Sequence, residues 1–173
     1  MPDAIHIRRY AAKDVDSIFE AIMESKAELT PWANWCHDEY CKQETAAWVK
    51  GRPSAWRRGE EWSFAIVDSD DRFLGGCGIH RIDAKNGVAE LGYWVRTTAA
   101  RRGVATEATR QLCRWGFCEQ NLARIEMVVS VENVASGRVA EKAGGVREGI
   151  LQQRIVLHGR RHDCFLFSIL RTV

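Results

Sequence analysis

In the segment Arg96–Phe117, RTTAARRGVATEATRQLCRWGF, two adjacent cations and a glycine stand where a hydrophobic run gives way to a helical pattern. A helix N-terminus exposes N–H groups that have no intrahelical partner. It also carries about half a positive charge, so it attracts anions, phosphates above all. Gly103 lets backbone approach a ligand closely. Arg101 and Arg102 can add charge-assisted contacts to phosphate oxygens. The chemistry this predicts is a phosphate cradle built from the amides of Arg101, Arg102, Gly103, Val104, Ala105 and Thr106, just after a strand that ends at Val95. The competing reading is an ordinary strand–helix turn with solvated arginines, because glycine-containing turns of that kind are common. The segment is not a P-loop, since G-x-x-x-x-G-K-S/T is absent, and not a dinucleotide fingerprint, since G-x-G-x-x-G is absent.

A second group of residues suits an amine. Trp32 and Trp35 bracket an Ala-Asn pair beside His37, Asp38 and Glu39. Indoles with carboxylates can hold a cationic or planar amine by cation–π contact or stacking. The alternative is that the two tryptophans pack a helix pair onto a sheet, given how much area each can bury.

These residues need elements to position them. AIHIRRY alternates as a strand, and Asp14 is expected to cap a helix whose apolar face is Val15, Ile18, Phe19 and Ile22. LTPWANWCHDEY reads as loop or short helix. QETAAWV starts another helix, which Gly51 and Pro53 are expected to interrupt. WSFAIVD, RFLGGCGIHRID and VAELGYWV read as three strands joined by the turns DSDD and AKNG, the second a strong hairpin signal at Asn86–Gly87. A helix is expected from about Thr106, with Ala105, Ala108, Leu112, Trp115 and Glu119 at helical spacing. RIEMVVSV follows as a buried strand, then NVASGRVAEKAGG as a helix closed by glycine. Two more strands flank His158–Gly159. The order β-α-α-β-β-β-α-β-α-β-β predicts an α+β fold, with an antiparallel meander feeding a β-α-β unit.

Composition narrows the function. With 173 residues, 46% of them hydrophobic and 28% charged, the chain reads as one soluble domain, and the expected boundaries are 1–173. No apolar run is long enough for a membrane helix and the start carries no apolar signal segment, so a cytoplasmic protein is expected. A net charge of +2 is too small to make nucleic acid the main partner. The pairs Arg57–Arg58, Arg101–Arg102 and Arg160–Arg161 are scattered and read as solvated surface. The six cysteines contain no C-x-x-C pair and no zinc spacing, so no metal is expected; Cys77, Cys113 and Cys164 read as small buried hydrophobes.

ELGYWV and RRGVATEAT together resemble the acetyl-CoA-binding motif of the GNAT N-acetyltransferase superfamily, Q/R-x-x-G-x-G/A between a strand and a helix. Gly103 and Ala105 fill its fourth and sixth places. Ala100 stands at the first, and Arg101 at a place often held by glycine. NVASGRVAEKAGGVREG, LTPWANW and LHGRRHDCFLFSILR are similar to segments of the RimJ/RimL-like branch, the ribosomal-protein N-terminal acetyltransferases, so the resemblance covers essentially the whole chain. It implies a single-domain GNAT fold: a mixed, mostly antiparallel seven-stranded sheet, flanked by about four helices and splayed between strands 4 and 5. It also implies acetyl-CoA as cosubstrate, direct attack by an amine in a ternary complex, and a homodimer, since dimers are common in the branch.

The resemblance assigns roles. Trp94, Val95 and Arg96 would contact the pantetheine through backbone, as an added strand does, and the Val95 N–H would polarise the thioester carbonyl. Asn133 and Ser136 would contact pantetheine and sulfur, with Ser136 donating a proton to the leaving thiolate; Asn133 is equally a good N-cap. Ile155 stands where a glutamate of the sixth-strand region would act as base. The candidates for that role are then Glu90, on one face with Gly92 and Trp94, next His80, and then Asp38 or Glu39. An α-amine with pKa near 8 faces a deprotonation handicap of about 1.4 kcal/mol at pH 7, a lysine amine about 4.6 kcal/mol. The absence of an evident base therefore favours a protein N-terminal α-amine. The readings kept beside it are a small-molecule amine acetyltransferase (antibiotic, polyamine, amino acid or aminoacyl-nucleotide) and a non-catalytic acetyl-CoA-binding module.

Overall fold

The computed structural model describes residues 4–172. Seven strands form one sheet: β1 (Ile5–Arg9), β2 (Trp62–Asp68), β3 (Phe73–Asp83), β4 (Val88–Val95), β5 (Arg124–Ser130), β6 (Val146–Leu157) and β7 (Arg160–Leu170). Their order is β1-β2-β3-β4-β5-β7-β6. Among the described residues only β4 and β5 run parallel; every other neighbour pair is antiparallel. The helices are α1 (Val15–Glu24), the single turn α2 (Lys26–Leu29), α3 (Lys42–Arg57), α4 (Val104–Glu119) and α5 (Val134–Lys142). The expected mixed sheet is therefore found, with α2 as one helix more than the sequence reading had. No helix among the described residues is long and apolar enough to cross a membrane.

The sheet is covered on both faces. α4 lays Ala108 and Leu112 against Ile66, Ile79, Leu91 and Ile125. It can approach closely because Gly116 is bare: a Cβ there would stand 2.9 Å from Ile79 Cδ1 and 3.0 Å from Ile125 Cδ1. On the other face Ile18 and Ile22 of α1 and Val49 of α3 meet Ala65, Val67 and Phe73. β2 is buried over six of its seven residues, which explains why WSFAIVD reads as a nearly continuous apolar run.

Two local expectations fail. Asp14 does not cap α1 through its side chain. Its carboxylate instead accepts from both terminal nitrogens of Arg8, each at 2.8 Å, and from the Ala11 N–H at 2.7 Å. Burial pushes this carboxyl up, and the Arg8 contact overrides it, holding the group below the usual carboxylate range. The second failure is the break at Gly51 and Pro53, because α3 runs through both. Proline in a helix interior costs about 3 kcal/mol. Here Val49 and Ala55 are buried on either side of it, so tertiary packing outweighs the local breaker. α4 also starts two residues before the expected Thr106, because Gly103 takes a left-handed conformation (φ 81°) and serves as its N-cap. The glycine expected to close α5 is Gly144 at φ 104°, one place beyond the cap residue Ala143.

Candidate active site

The first helical bond of α4 runs from Glu107 N–H to Gly103 O at 3.0 Å. The amides of Val104, Ala105 and Thr106 precede it and so have no intrahelical acceptor. Arg101, at φ 62°, and Gly103 turn the backbone so that this row of N–H groups is presented at the helix head. The side chains of Val104, Ala105 and Thr106 are buried, which leaves backbone as what the segment offers, while Arg101 and Arg102 are exposed at its rim.

The entry to this turn is tied to α1. Arg96 Nε donates to Glu24 Oε2 at 3.0 Å, its Nη2 contacts the same oxygen, and its Nη1 donates to the Phe73 carbonyl at 3.2 Å. The Thr98 N–H and hydroxyl both donate to Glu24 Oε1 at 2.9 Å, and the Thr97 N–H to Ser25 Oγ at 2.9 Å. Arg96 thus positions the loop and does not reach toward a ligand. Its guanidinium, with the Thr98 donors, holds the Glu24 carboxyl down at about 2.

Next to this turn the sheet opens. β4 and β5 pair only at Val88–Arg124, Ala89–Ile125 and Glu90–Glu126; from Leu91 and Met127 onward they separate. The Arg96 N–H donates to Leu74 O at 2.8 Å. Antiparallel pairing alternates inward- and outward-facing backbone along a strand. The backbones of Gly92, Trp94 and Arg96 therefore face β3, and those of Leu91, Tyr93 and Val95 face the opening. This corrects the expected backbone contacts of Trp94 and Arg96, whose N–H groups are taken up by β3. It leaves the Val95 N–H on the open side and adds Tyr93.

A cleft of about 220 Å³ fills the opening, lined among others by Tyr93, Val129, Ser130, Asn133 and Ser136. Asn133 caps α5, accepting the Ser136 N–H at 3.1 Å. Tyr93 Oη lies 2.9 Å from the Ser136 carbonyl and 2.8 Å from Ser136 Oγ. A phenol has one proton. A carbonyl can only accept it, so Tyr93 donates there and Ser136 Oγ donates to Tyr93. Burial pushes the Tyr93 phenol up to about 12. Sequence reasoning passed over Tyr93, whose signal was its place in the β4 alternation, on the face opposite Trp94.

On the other side of β4 lies a larger cavity, about 500 Å³, walled by Tyr10, Trp32, Trp35, Trp48 and Trp94 and floored by Gly76, Gly78 and Gly92. Trp32, Gly92 and Tyr93 line both spaces, so the two meet across β4. Gly76 has to be bare, because a Cβ there would fall 2.2 Å from Tyr10 Oη and 2.9 Å from Trp94 Nε1. Trp35 stands 6.0 Å from Trp94, and Tyr10 meets Trp48 edge-on at 4.9 Å. The segment that carries Trp32 and Trp35 is clasped by the tip of the β6–β7 hairpin. Asn34 Nδ2 donates to Val156 O at 2.7 Å, and its Oδ1 accepts the His158 N–H at 3.1 Å. His158 Nε2 lies 2.5 Å from Thr30 O.

The titratable residues divide sharply. His80 lines the cavity, its Cε1 3.4 Å from where a Gly92 Cβ would stand, and burial lowers its imidazole below the ordinary value. Glu90 does not line it. Glu90 Oε1 accepts from Arg154 at 2.7 Å and from Arg81 at 3.0 Å, and its Oε2 lies 3.8 Å from His80 Nε2. Two guanidiniums occupy its oxygens and it does not face the cavity, which corrects the expectation of Glu90 as the base. Asp38 and Glu39 also lie outside: the Asp38 carbonyl accepts from Lys26 at 2.6 Å, and Glu39 is exposed beside His37. The cavity's own carboxylate is Glu61, which accepts from Arg52 Nη1 at 2.7 Å and from the Ser63 hydroxyl. Sequence reasoning missed Glu61, Tyr10 and Trp48.

Residues 5–146 match the family model of the acetyltransferase (GNAT) domain. The chain is 32% identical over 171 residues to the N-acetyltransferase YoaA of Bacillus subtilis, covering 98% of this chain and 94% of that protein. It is 25% identical over 166 residues to the ribosomal-protein-serine acetyltransferase of Escherichia coli, covering 96% and 92%. Among solved structures, the microcin C7 self-immunity acetyltransferase MccE, in complex with acetyl-CoA and AMP, has the same fold. Its TM-score is 0.90 over 98% of this chain and 93% of that one, at 20% identity.

Proposed function

The chain belongs to the GNAT acetyltransferase family, in its RimJ/RimL-like branch, and from that premise we propose that it transfers the acetyl group of acetyl-CoA to a primary amine, the α-amine of a polypeptide N-terminus. The described chain serves this reaction as a single domain, acting in the cytoplasm. The observation that carries the reading is the continuity of three features. A row of helix-head amides leads to an open strand edge, and the edge leads to a cavity with a histidine in its wall.

The amides of Val104, Ala105 and Thr106 take the pyrophosphate, with Gly103 giving clearance and Arg101 and Arg102 adding charge at the rim. The pantetheine lies along β4 in the place of a paired strand, bonding the outward-facing backbone of Tyr93 and Val95. The Val95 N–H then points at the thioester oxygen, where negative charge develops. Asn133 holds the head of α5 and so places Ser136 beside the sulfur.

The amine enters from the aromatic cavity. Its lone pair attacks the thioester carbon, a C–N bond forms and the C–S bond breaks. His80 accepts the amine proton, directly or through one water. Its lowered pKa keeps the imidazole neutral, and so able to accept, down to a lower pH than an ordinary histidine. Glu90, fixed by Arg81 and Arg154, holds the neighbouring edge of the site. As the C–S bond breaks, the Ser136 hydroxyl turns its hydrogen from Tyr93 Oη to the sulfur and donates its proton to the departing thiolate, regaining one from solvent; a thiol has pKa near 8.5, so this help is modest. Tyr93 is a positioning residue for Ser136, acting through the bond between them.

Free thiol release from acetyl-CoA in the presence of amine acceptors tests the reading, together with a crystal soaked in coenzyme A. Amine-dependent release with the diphosphate at the head of α4 is the expected result. Binding without release under any acceptor supports a non-catalytic acetyl-CoA module, and a diphosphate lodged elsewhere removes the cradle.

A further inference from the structure

The further inference rests on the chain being an amine acetyltransferase, and it concerns the body that carries the amine. Trp32, Trp35 and Trp48 leave 37%, 44% and 37% of their surface exposed, and all three line the cavity of about 500 Å³. Apolar surface left in water is unfavourable in proportion to its area. Exposed indoles gathered in one concave place mark a site that a ligand covers. Trp94 and Tyr10 extend the same wall.

The charges lining the cavity exclude several acceptors. Among the described residues no lysine or arginine lines it; Arg52 stands behind the wall, 4.4 Å over the Trp48 ring and bonded to Glu61, so a nucleotide would bring phosphates to a site whose neighbouring cation is already engaged. Its one carboxylate, Glu61, is already engaged by Arg52 and Ser63. A polyamine or an aminoglycoside would therefore bring several cations to a single occupied anion. A serine or alanine side chain is too small to cover three indoles. What remains is a body that is uncharged, flat and large.

We infer that the acceptor is a primary amine borne on a bulky, uncharged aromatic group. The amine lies at the end formed by His80, Gly92 and Tyr93, where the cavity meets the cleft on the other side of β4. The ring lies among Trp35, Trp48 and Trp94. Aromatic rings packed edge-on or offset gain stabilisation beyond the area they bury, and the existing Trp48–Tyr10 and Trp35–Trp94 arrangements hold their rings ready for such a partner. Two sources share this chemistry: an aromatic residue at a polypeptide N-terminus, and a free aromatic monoamine.

The test follows thiol release with two short peptides that differ only in starting with Phe or Ser, with phenethylamine, and with spermidine. The Phe-initiated peptide or phenethylamine should exceed the Ser-initiated peptide in kcat/KM by at least about tenfold, the scale that burial of one aromatic side chain supplies. Whichever of the two is faster identifies the source. Trp48→Ala should lower the Phe-to-Ser ratio at least about fivefold; if circular dichroism shows this variant unfolded, Trp35→Ala replaces it. A Ser-initiated peptide or spermidine that is equal or better overturns the inference. No thiol release with any of the four acceptors overturns the transferase reading instead. In that event, quenching of tryptophan fluorescence by phenethylamine decides the aromatic site: saturable binding weakened by Trp48→Ala retains it, and no binding removes it.

Discussion

At the proposed cradle the atoms on offer are peptide N–H groups, aimed by two left-handed backbone angles at Arg101 and Gly103. In the proposed acceptor cavity they belong to side chains: Tyr10 after β1, the indoles of the clasped segment, Trp48 of α3, Glu61 before β2, His80 of β3 and Trp94 of β4. A backbone site tolerates changes in side-chain identity, because an amide is the same on every residue but proline. The chain carries Ala100 and Arg101 where related motifs carry other residues, and the helix head retains its geometry. A side-chain site has no such tolerance. Each substitution alters its shape or charge, so acceptor choice can diverge while cofactor binding does not.

That contrast can be broken or sharpened by measurement. The largest effect is expected at His80. His80→Gln should lower kcat/KM by about 100-fold, the lower end of what a general base contributes, while leaving coenzyme A affinity within about twofold, since His80 lies on the acceptor side of β4. The pH profile supplies the sign. A base acts when neutral and burial depresses this imidazole, so wild-type kcat/KM, once corrected for the fraction of amine that is neutral at each pH, should fall only at pH values below the ordinary histidine range near 6.5. The variant should lack that acidic limb. An unchanged profile would remove His80 from the reaction.

Gly103→Glu comes next. A carboxylate facing the diphosphate, on a residue forced to φ 81°, should weaken coenzyme A binding at least about tenfold by calorimetry. Gly103→Ala has open space for its Cβ and should show only the smaller backbone penalty, about 1–2 kcal/mol. Equal affinities for Gly103→Glu and wild type, in a folded protein, would mean that the cradle lies elsewhere.

Ser136→Ala should reduce kcat only about three- to tenfold, because a thiolate leaves without a strong acid. Tyr93→Phe should do about the same, and the double variant should be no slower than Ser136→Ala alone, since the two act as one unit. Additive losses would show that Tyr93 does something other than orient the serine.

The smallest effect is expected at Glu24. Glu24→Gln should cost about 1 kcal/mol or less, as exposed ion pairs do, or about 2–4 °C in melting temperature for a chain of this size. The sign follows from the depressed pKa. The stabilisation is complete above the ordinary glutamate value of 4.5 and is lost as pH falls through about 2. The gap between wild type and variant should therefore close over that interval. A gap that persisted at pH 2 would mean that the carboxylate's charge is not what holds the cradle loop.

The same division explains what could be read in advance. The turn at the head of α4 was legible because its parts are contiguous: a strand ending at Val95, then Gly103, then a helical pattern. The β2–β3–β4 meander was legible from its alternation and from Asn86–Gly87. The acceptor cavity was not. Tyr10, Trp48 and Glu61 are widely spaced in sequence, and only the packing of α1 and α3 on the sheet brings them to one wall. Glu90 looked free because one of its partners, Arg154, is 64 positions away. Asp38 and Glu39 looked useful because they follow the tryptophans in sequence, yet the chain turns them outward. The failures at Asp14 and Pro53 have the same cause: a partner or a buried face that local propensity does not contain.

The clasp between Asn34 and the β6–β7 hairpin joins positions 122 residues apart. During translation the indole-bearing segment leaves the ribosome well before the hairpin that clasps it; Trp35 can meet Tyr40 and Trp94 first, while the Asn34 bonds wait for β6 and β7. By then the β2–β4 meander and α4 have all emerged. The clasp on the proposed acceptor wall is thus closed only after the strands and helix it stands beside, so the proposed selectivity would be acquired later than the fold that supports it.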